Sequence, residues 1–439
     1  MLFHRPSVVP KEQAEQAEQT DSAQAAPQTG SGWQLPYGLR ALQHRNFRLF
    51  FAGQFVSRIG FWMQNMAQAW LVYRLTDSPV MLGLVAFAGQ FPTLILGLLS
   101  GVVADRFNRY SVILVMLVLA TIQATVLGVL TLGGWITAWQ IFVLALIAGT
   151  IQTFEMPARQ SFLMEIVGKD DLTSAIALNS ALVNGARILG PALAGITVAA
   201  AGEGACFSIN ALSYFVIIGA FLSMRLPAQE ADSTPQVSVF AFIQEGVHYA
   251  FRTPAIRLLL MLIGFVSLLA TPYTVLMPIF AKDILHGDAY SMGILMGSAG
   301  LGALVGAGFL SRHRNTDTLG RVIVFALVRF GIGLLLFASS RHLWLSLLIL
   351  PLVGSGFMLP TAAINTLLQT ISLDHIRGRV MSLFFIMFMG CQTIGSLLAG
   401  YLAPLVGAPI TVGLTGVCCL GVAVFAKLRL PMLERREAE

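Results

Sequence analysis

The stretch LNSALVNGARILGPALAG, residues 178–195, has a counterpart in LFFIMFMGCQTIGSLLAG, residues 383–400. A shift of 205 residues keeps four identities, which are the pairs Leu178/Leu383, Gly185/Gly390, Gly190/Gly395 and Gly195/Gly400. Both stretches lie inside long apolar runs, and six such runs lie on each side of a polar segment near the middle of the chain. Self-similarity at this distance indicates two homologous halves.

The composition is typical of an integral membrane protein. The 439 residues are 56% hydrophobic and 11% charged, with a mean hydropathy of +0.76. The apolar runs are long enough to cross roughly 30 Å of hydrocarbon as helices, and they lack the alternation of barrel strands. We predict twelve transmembrane helices, over residues 49–73, 80–104, 110–132, 136–158, 172–200, 204–225, 255–281, 289–311, 320–340, 342–371, 379–403 and 407–427.

Polar segments divide these spans into two sets of six. The first residues are polar and poor in aromatic side chains, which predicts disorder, and they contain no cleavable signal, so the first span is expected to direct insertion. The predicted organisation is a disordered cytoplasmic tail over 1–40, an amino-terminal six-helix bundle over 41–225, a cytoplasmic linker over 226–254, a carboxy-terminal six-helix bundle over 255–428 and a cytoplasmic tail over 429–439.

The linker begins as a polar segment and then places Val239, Ile243, Val247 and Ala250 at helical spacing. This pattern predicts an amphipathic helix that ends at Pro254 and lies along the cytoplasmic membrane interface. A linker helix packed on protein is equally compatible with the same residues.

The net charge of +6 is explained by the position of the basic residues. Most Lys and Arg residues fall in alternate loops, and only Arg74, Lys282 and Arg341 fall in the loops of the opposite side. This bias places both termini in the cytoplasm and makes nucleic-acid binding a poor explanation. The four cysteines lie in apolar runs, and no His, Cys or carboxylate cluster has metal-ligand spacing, so neither a disulfide framework nor a metal or other cofactor is predicted.

Two motifs resemble those of the major facilitator superfamily. GVVADRFNR, with Gly101, Asp105, Arg106 and Arg109, is similar to the signature between helices two and three, although Asn108 replaces a glycine and is expected to accept a left-handed turn. GPALAG, residues 190–195, resembles the helix-five motif of drug/proton antiporters, with Ala194 in place of a glycine.

Three further segments, HRNFRLFFAGQFVSRIG (44–60), EMPARQSFLMEIVGKDDLTSAIALNS (155–180) and DHIRGRVMSLF (374–384), resemble the enterobactin-exporter and macrolide-efflux branch. The resemblance implies two pseudo-symmetric six-helix bundles around a cavity lined by helices one, four, seven and ten, and alternating access by rocking of the halves. It also implies a bacterial inner-membrane protein that works as a monomer on a small molecule and protons.

The first span carries a polar stripe. Gln54, Arg58, Phe61, Asn65 and Gln68 recur at helical spacing, and a lipid-facing surface would not be so polar. We expect the stripe to line the cavity, although residues of this kind can also bind helices together. The other candidate cavity residues are Gln152, Asn184, Arg187, Tyr273 and Phe357.

Glu155 is the only acid placed within a predicted span. It is the candidate proton-coupling residue, because burial favours its neutral form and a nearby cation its charged form. The alternative is a structural pair with Arg159, four residues away. Arg187 is expected to attract an anionic substrate group or an ionised Glu155, with a fixed bridge between helices as the alternative.

The remaining candidates concern movement. Gly101, Asp105, Arg106 and Arg109 are expected to form a cytoplasmic gate through ion pairing, or else only to fix topology and packing. In the helix-five motif, the glycines are expected to permit close helix packing while proline bends the span; its residues are Gly185, Gly190, Pro191 and Gly195.

The sequence therefore predicts a secondary transporter that exports a hydrophobic or amphipathic molecule, such as a siderophore or drug, by proton antiport. An importer or lysolipid flippase of the same fold, and a non-transporting sensor or scaffold, remain open. No nucleophile–base pair indicates an enzyme, and no phosphate-binding loop indicates a nucleotide-driven pump.

Overall fold

The computed structural model of the chain describes residues 37–168, 170–225, 247–312 and 318–429, and the regular elements within them are all helical. The long helices of these residues are α1 (Arg45–Thr76), α2 (Pro79–Arg106), α3 (Arg109–Leu132), α4 (Ala138–Val167), α5 (172–201) and α6 (203–222) within Leu172–Leu222, α7 (Pro254–Ile284), α8 (Ala289–Arg312), α9 (Leu319–Ser339), α10 (Leu343–Ile371), α11 (Asp374–Val406) and α12 (Ala408–Arg429). Their order follows the twelve predicted spans.

Most of the predicted tails and linker, residues 1–36, 226–246 and 430–439, lies outside the described residues. The segment Tyr37–Gln43 forms a short 3-10 helix, so helical structure is present before residue 40, the predicted end of the tail. In the linker, Val247 and Ala250 are helical, but Pro254 is the first residue of α7 rather than the end of the preceding helix. Proline suits a first helical position because its missing N–H would have no intrahelical partner there.

Gly202 separates α5 from α6. Its φ of 78° and ψ of 173° interrupt the segment Leu172–Leu222, and a side chain would be strained at that φ. The segment is 51 residues long, enough for two crossings. Within the described residues, ten helical segments are apolar enough to span a membrane when Leu172–Leu222 is counted once. Helix α1, which is 32 residues long, is more polar because of its stripe.

The helices are longer than the apolar runs at one end of the bundle. We call the end with the loops at 107–108 and 372–373 the basic end, and the end with the loops at 77–78 and 285–288 the distal end. At the basic end, α4 continues to Val167, whereas its predicted span stops at residue 158. Helices that pass beyond the hydrocarbon lose the apolar signal there, which explains the short prediction.

The two halves repeat the same helix contacts. A Cβ atom on Gly190 of α5 would lie 2.3 Å from Cβ of Trp62 in α1, and a Cβ atom on Gly395 of α11 would lie 2.9 Å from Cβ of Thr271 in α7. The glycines matched in sequence thus support equivalent close contacts, α5 on α1 and α11 on α7. The internal repeat is therefore visible in the packing.

The halves meet at the distal end through a second matched pair of contacts. A Cβ atom on Gly195 of α5 would lie 3.2 Å from Cα of Gly293 in α8, and one on Gly400 of α11 would lie 2.9 Å from Cα of Gly83 in α2. Gly101 lies five helical turns from Gly83 on the same face of α2, but a Cβ atom there would meet nothing within 4 Å. The halves therefore touch at the distal end and separate toward the basic end.

A chain of buried amides joins four helices of the first half. Nδ2 of Asn210 in α6 donates to Oε1 of Gln64 in α1 at 2.7 Å, and Nε2 of Gln64 donates to Oε1 of Gln123 in α3 at 3.2 Å. Nε2 of Gln123 then donates to the carbonyl oxygen of Leu144 in α4 at 3.2 Å. Because lipid offers no hydrogen-bond partner, these bonds hold the helices in one register.

We expect Gly354→Ala in α10 to destabilise the protein. Its new Cβ would lie 1.8 Å from the carbonyl oxygen of Ala299 in α8, so the helices would have to move apart, at a cost of about 1–3 kcal/mol. The matched control is Gly219→Ala in α6, where a Cβ atom meets nothing within 4 Å. Thermal unfolding in detergent checks this, and equal midpoints for the two variants would contradict the packing.

Candidate functional site: a central cavity and a buried charge cluster

A cavity of about 410 Å³ lies between the two halves. The described residues that line it come from α1, α2, α5, α7, α8, α10 and α11. The resemblance implied helices one, four, seven and ten, and α4 supplies none of these lining residues. This part of the expectation is wrong for the conformation described, in which the distal contacts bring α2, α5, α8 and α11 to the cavity wall.

The lining combines apolar and amide side chains. Of the predicted cavity residues, the structure brings together Phe61, Asn65, Gln68, Arg187, Tyr273 and Phe357. Residues that the sequence analysis missed include Trp62, Gln90, Gln392, Met277, Met292 and Met296. The two glutamines were detectable as isolated amides within apolar spans, whereas aromatic and methionine side chains give no signal of that kind.

Arg187 is the one charged residue among the described lining residues. Its guanidinium carbon lies 5.5 Å from the ring centroid of Trp62, a cation–π contact. Among the residues that the structure describes, no carboxylate forms an ion pair with it. The repeat aligns Arg187 with Gln392, so the equivalent point of the second half carries a neutral amide.

Gln54, Arg58, Glu155 and Arg159 form a separate buried group, the charge cluster, toward the basic end. Oε1 of Glu155 accepts from Nη2 of Arg58 at 3.2 Å and from Nη1 of Arg159 at 2.7 Å. With its amide turned, Oε1 of Gln54 accepts from Nε of Arg58 at 2.9 Å and from Nη1 of Arg159 at 2.8 Å. Two cations therefore share one carboxylate, and the cluster carries a net positive charge.

The charge cluster changes the interpretation of the α1 stripe. Its distal part, from Phe61 onward, lines the cavity, whereas Gln54 and Arg58 lie in the cluster and Arg58 is only 8% exposed. Gln152 and Asn184 are also outside the described lining, and the Asn184 side chain donates to the carbonyl oxygen of Ser180 at 2.9 Å. Glu155 bonds to Arg58 and Arg159, so the predicted alternative of an Arg187–Glu155 pair is not formed.

The candidate gate residues lie at the basic end. Asp105 and Arg106 are exposed, and Arg109 pairs with Glu165 of α4 within the same half. Asn108 caps α3, since its side-chain oxygen accepts from the N–H of Ser111 at 3.2 Å. Its φ is −56°, so the expected left-handed turn is absent. In this conformation the gate residues do not bridge the halves.

The helix-five motif contributes through packing and through a free carbonyl. Gly190 and Gly195 make the contacts on α1 and α8 described above, whereas a Cβ atom on Gly185 would meet nothing within 4 Å. Pro191 is buried within the helix and lines the cavity. Because proline has no N–H, the carbonyl of Arg187, four residues earlier, has no intrahelical donor.

A polar contact joins the halves at the distal end. The Tyr73 hydroxyl donates to Asp283, and Nζ of Lys282 lies 2.6 Å from Oδ1 of Asp77. We call Tyr73, Asp77, Lys282 and Asp283 the distal latch. The sequence analysis did not identify it, although Lys282 stood out as one of the few basic residues on its side of the chain.

Comparison with known proteins gives the family. Residues 37–439 match the model of the transmembrane secretion effector family, a branch of the major facilitator superfamily. The chain belongs to this family. It is therefore a membrane transporter and not an enzyme, and the predicted resemblance and fold class are confirmed. Among the described residues, no group of three or more His, Cys, Asp or Glu side chains is placed to hold a metal ion.

The relatives belong to the siderophore and drug efflux branch. The chain is 25% identical to the staphyloferrin A transporter of Staphylococcus aureus over 88% of this chain and 97% of that protein. It is 28% identical to the multidrug efflux pump Tap of Mycolicibacterium fortuitum, over 84% and 88%, and 24% identical to the enterobactin exporter EntS of Salmonella choleraesuis, over 89% and 94%. The nucleoside transporter NupG has the same fold, with a TM-score of 0.70, 14% identity and coverage of 88% and 99%.

We expect the charge cluster of the transporter to tolerate loss of a cation better than loss of its carboxylate. Glu155→Gln leaves two buried guanidinium groups without a counterion, at a cost of about 3–5 kcal/mol. Arg58→Gln leaves the neutral Glu155–Arg159 pair, and we expect less than half of that loss. Thermal unfolding of both variants in detergent measures the difference, and a larger loss for Arg58→Gln would contradict the charge assignment.

We expect loss of the Lys282–Asp77 pair of the distal latch to open the distal end more often. The side chains of Lys282 and Asp77 are 37% and 70% exposed, so their pair contributes at most about 1 kcal/mol, a shift of up to about fivefold. Lys282→Gln should therefore raise the rate at which a cysteine at Thr274 reacts with an impermeant thiol reagent from the distal side. The control is Arg74→Gln, whose partner Glu203 lies in its own half; an equal rise there would contradict the assignment.

Proposed function

We propose that the chain exports a hydrophobic or amphipathic small molecule, siderophore-like or drug-like, in exchange for protons across a bacterial inner membrane. The observation that carries the proposal is the cavity between two matched halves that touch at the distal end and separate toward the basic end. Two halves with one such cavity suit alternating access, in which rocking exposes the same site to each side in turn.

The properties of the cavity support a compact cargo with an apolar body. Its volume of about 410 Å³ lies in the range of small-molecule sites. Aromatic and methionine side chains supply dispersion contacts, and the amides of Asn65, Gln68, Gln90 and Gln392 supply hydrogen bonds. The siderophore and drug transporters among the relatives favour this class, and we propose that one copy of the chain forms a complete transport unit.

The orientation follows from the basic loops. With both termini in the cytoplasm, the basic end faces inward and the conformation is open to the cytoplasm. Export then requires the distal latch to break and the basic end to close. The gate function proposed for Asp105 and Arg106, which are exposed in the conformation described, is to pair with the other half in the closed state.

Glu155 is the proposed proton site, since it is a buried carboxylate within a span and close to the opening at the basic end. In the conformation described, Arg58 and Arg159 both donate to its Oε1, and a proton there would leave both cations without a counterion. Loading a proton therefore requires one guanidinium to turn away. Such a movement would couple protonation to the conformational cycle.

We expect proton coupling to depend on the Glu155 carboxylate. In inverted vesicles with an imposed pH gradient, the double variant Glu155→Gln/Arg159→Gln removes the carboxylate without changing the net charge of the cluster. Its matched background, Arg159→Gln, retains the Glu155–Arg58 pair. We expect the background variant to keep proton-driven uptake of a siderophore or drug panel. In the double variant, we expect the rate of this proton-driven uptake to fall at least tenfold.

Equal coupling in the two variants would remove Glu155 from the mechanism. Uptake in the opposite direction would identify an importer or flippase, and ligand binding without flux in proteoliposomes would identify a sensor. Asp170→Asn, a change at an exposed carboxylate outside the cluster, controls for loss of a negative charge near the basic end.

A further inference from the structure

We infer that the cargo is an amphipathic anion: a compact molecule with an aromatic or apolar body and one acidic group, a carboxylate or a sulfonate. The inference rests on the proposed function, because it takes the central cavity as the transport site. It adds the sign of the charge, which the general export proposal leaves open, and it predicts that lipophilic cations are poor ligands.

Arg187 has no counterion among the described residues. A guanidinium within a transmembrane helix is costly unless it meets water, protein or a ligand of opposite charge. Arg187 lies near the middle of α5 and faces the cavity, yet it forms no ion pair with any carboxylate of the described residues. Trp62 stacks on its guanidinium and supplies only part of the compensation.

The other buried cations of the first half, Arg58 and Arg159, already have a counterion. Glu155 accepts hydrogen bonds from both Arg58 and Arg159, so it cannot serve Arg187 in this conformation without leaving them. The amide of Gln54 completes that group. The charge cluster is therefore closed on itself, and among the described residues within the predicted spans of the first half the cation without an ion pair is Arg187.

The described lining of the cavity offers no acidic side chain to a cationic cargo. The described residues of its lining include no aspartate or glutamate, and the repeat places neutral Gln392 where the second half could have carried a compensating acid. A cationic cargo would meet Arg187 without a counter-charge, in surroundings where like charges repel strongly. An anion would instead gain charge-assisted hydrogen bonds from a guanidinium that Trp62 holds in place.

The rest of the lining suits the body of such a molecule. Phe61, Tyr273 and Phe357 offer ring faces and edges around the space beside Arg187. The acidic group therefore defines one end of the site, on the α5 wall, and the apolar body occupies the remainder.

The test compares probes of matched shape and opposite charge. Naphthalene-2-sulfonate and 2-naphthyltrimethylammonium are titrated onto the purified full-length protein in detergent, and binding is measured by calorimetry. We expect the sulfonate to bind at least tenfold more tightly than the ammonium, the size of one charge-assisted hydrogen bond. A third probe, lauroyl lysophosphatidate, separates a compact acid from an anionic lipid; we expect it to bind more weakly than the sulfonate because the cavity is small.

Variants assign the preference to one residue. Arg187→Gln should lower affinity for the sulfonate at least tenfold and remove the discrimination, whereas Arg187→Lys should keep the preference in weaker form because it keeps the charge. The matched control is Arg329→Gln, which removes an arginine from the middle of α9, outside the described lining. This variant should prefer the sulfonate over the ammonium as strongly as the wild type does.

Equal or tighter binding of the ammonium, binding of none of the probes, or an unchanged preference in Arg187→Gln would overturn the inference. If the lysolipid binds most tightly of the three probes, the inferred cargo is an anionic lipid rather than a compact acid. These outcomes are distinct from failure of the proposed function, because binding is measured without flux. A protein that binds the sulfonate but carries nothing across proteoliposomes would retain the anion site and lose the exporter role.

Discussion

Hydrocarbon cannot hydrogen-bond to a polar side chain, and this constraint organises the interior of the molecule. Two sets of buried polar side chains in the first half are satisfied in particular ways: the amides by the chain from Asn210 to Gln123, and the charges of Arg58, Glu155 and Arg159 by the cluster that they form with Gln54. These bonds make α1, α3, α4 and α6 a firm unit. A transporter whose halves move as bodies needs such units, because a soft bundle would absorb the motion internally.

The contact between the halves is of a different kind. It depends on glycine backbones, Gly195 on Gly293 and Gly400 on Gly83, with a small polar latch at the distal end. Glycine contacts allow close approach without side chains that interdigitate deeply, so the surfaces can separate without breaking a buried ion pair. The strong polar bonds described above lie within the first half, and weaker contacts join the two halves, a distribution that suits alternating access.

Much of the fold could be predicted from the sequence because its causes are local or periodic. Continuous apolar runs gave the spans, and the spacing of one leucine and three glycines gave the repeat before any contact was known. The ends were less accurate, as at Val167, because a helix in the headgroup region no longer carries an apolar signal. The capping role of Asn108 was missed because it depends on the direction of one side chain.

The residues of the candidate site could be predicted from the sequence, but their division between the charge cluster and the cavity could not. Periodicity placed Arg58 and Asn65 on one stripe, yet it could not tell that the first bonds to Glu155 while the second faces the cavity. That division depends on how α4 packs on α1, a contact between segments almost a hundred residues apart. The cavity residues of α2 and α11 were missed for the same reason, since only the distal contact of the halves brings them inward.

The repeat is imperfect at one informative point, where Arg187 of one half faces the cavity and Gln392 holds the equivalent place in the other. Duplication produced two walls of similar shape, and divergence made them electrically unequal. A polar molecule in this cavity therefore experiences an electric field of fixed direction, which favours one orientation of the molecule. In the cycle and for the anionic cargo proposed above, the acidic group stays with the first half, so that half governs how the molecule leaves.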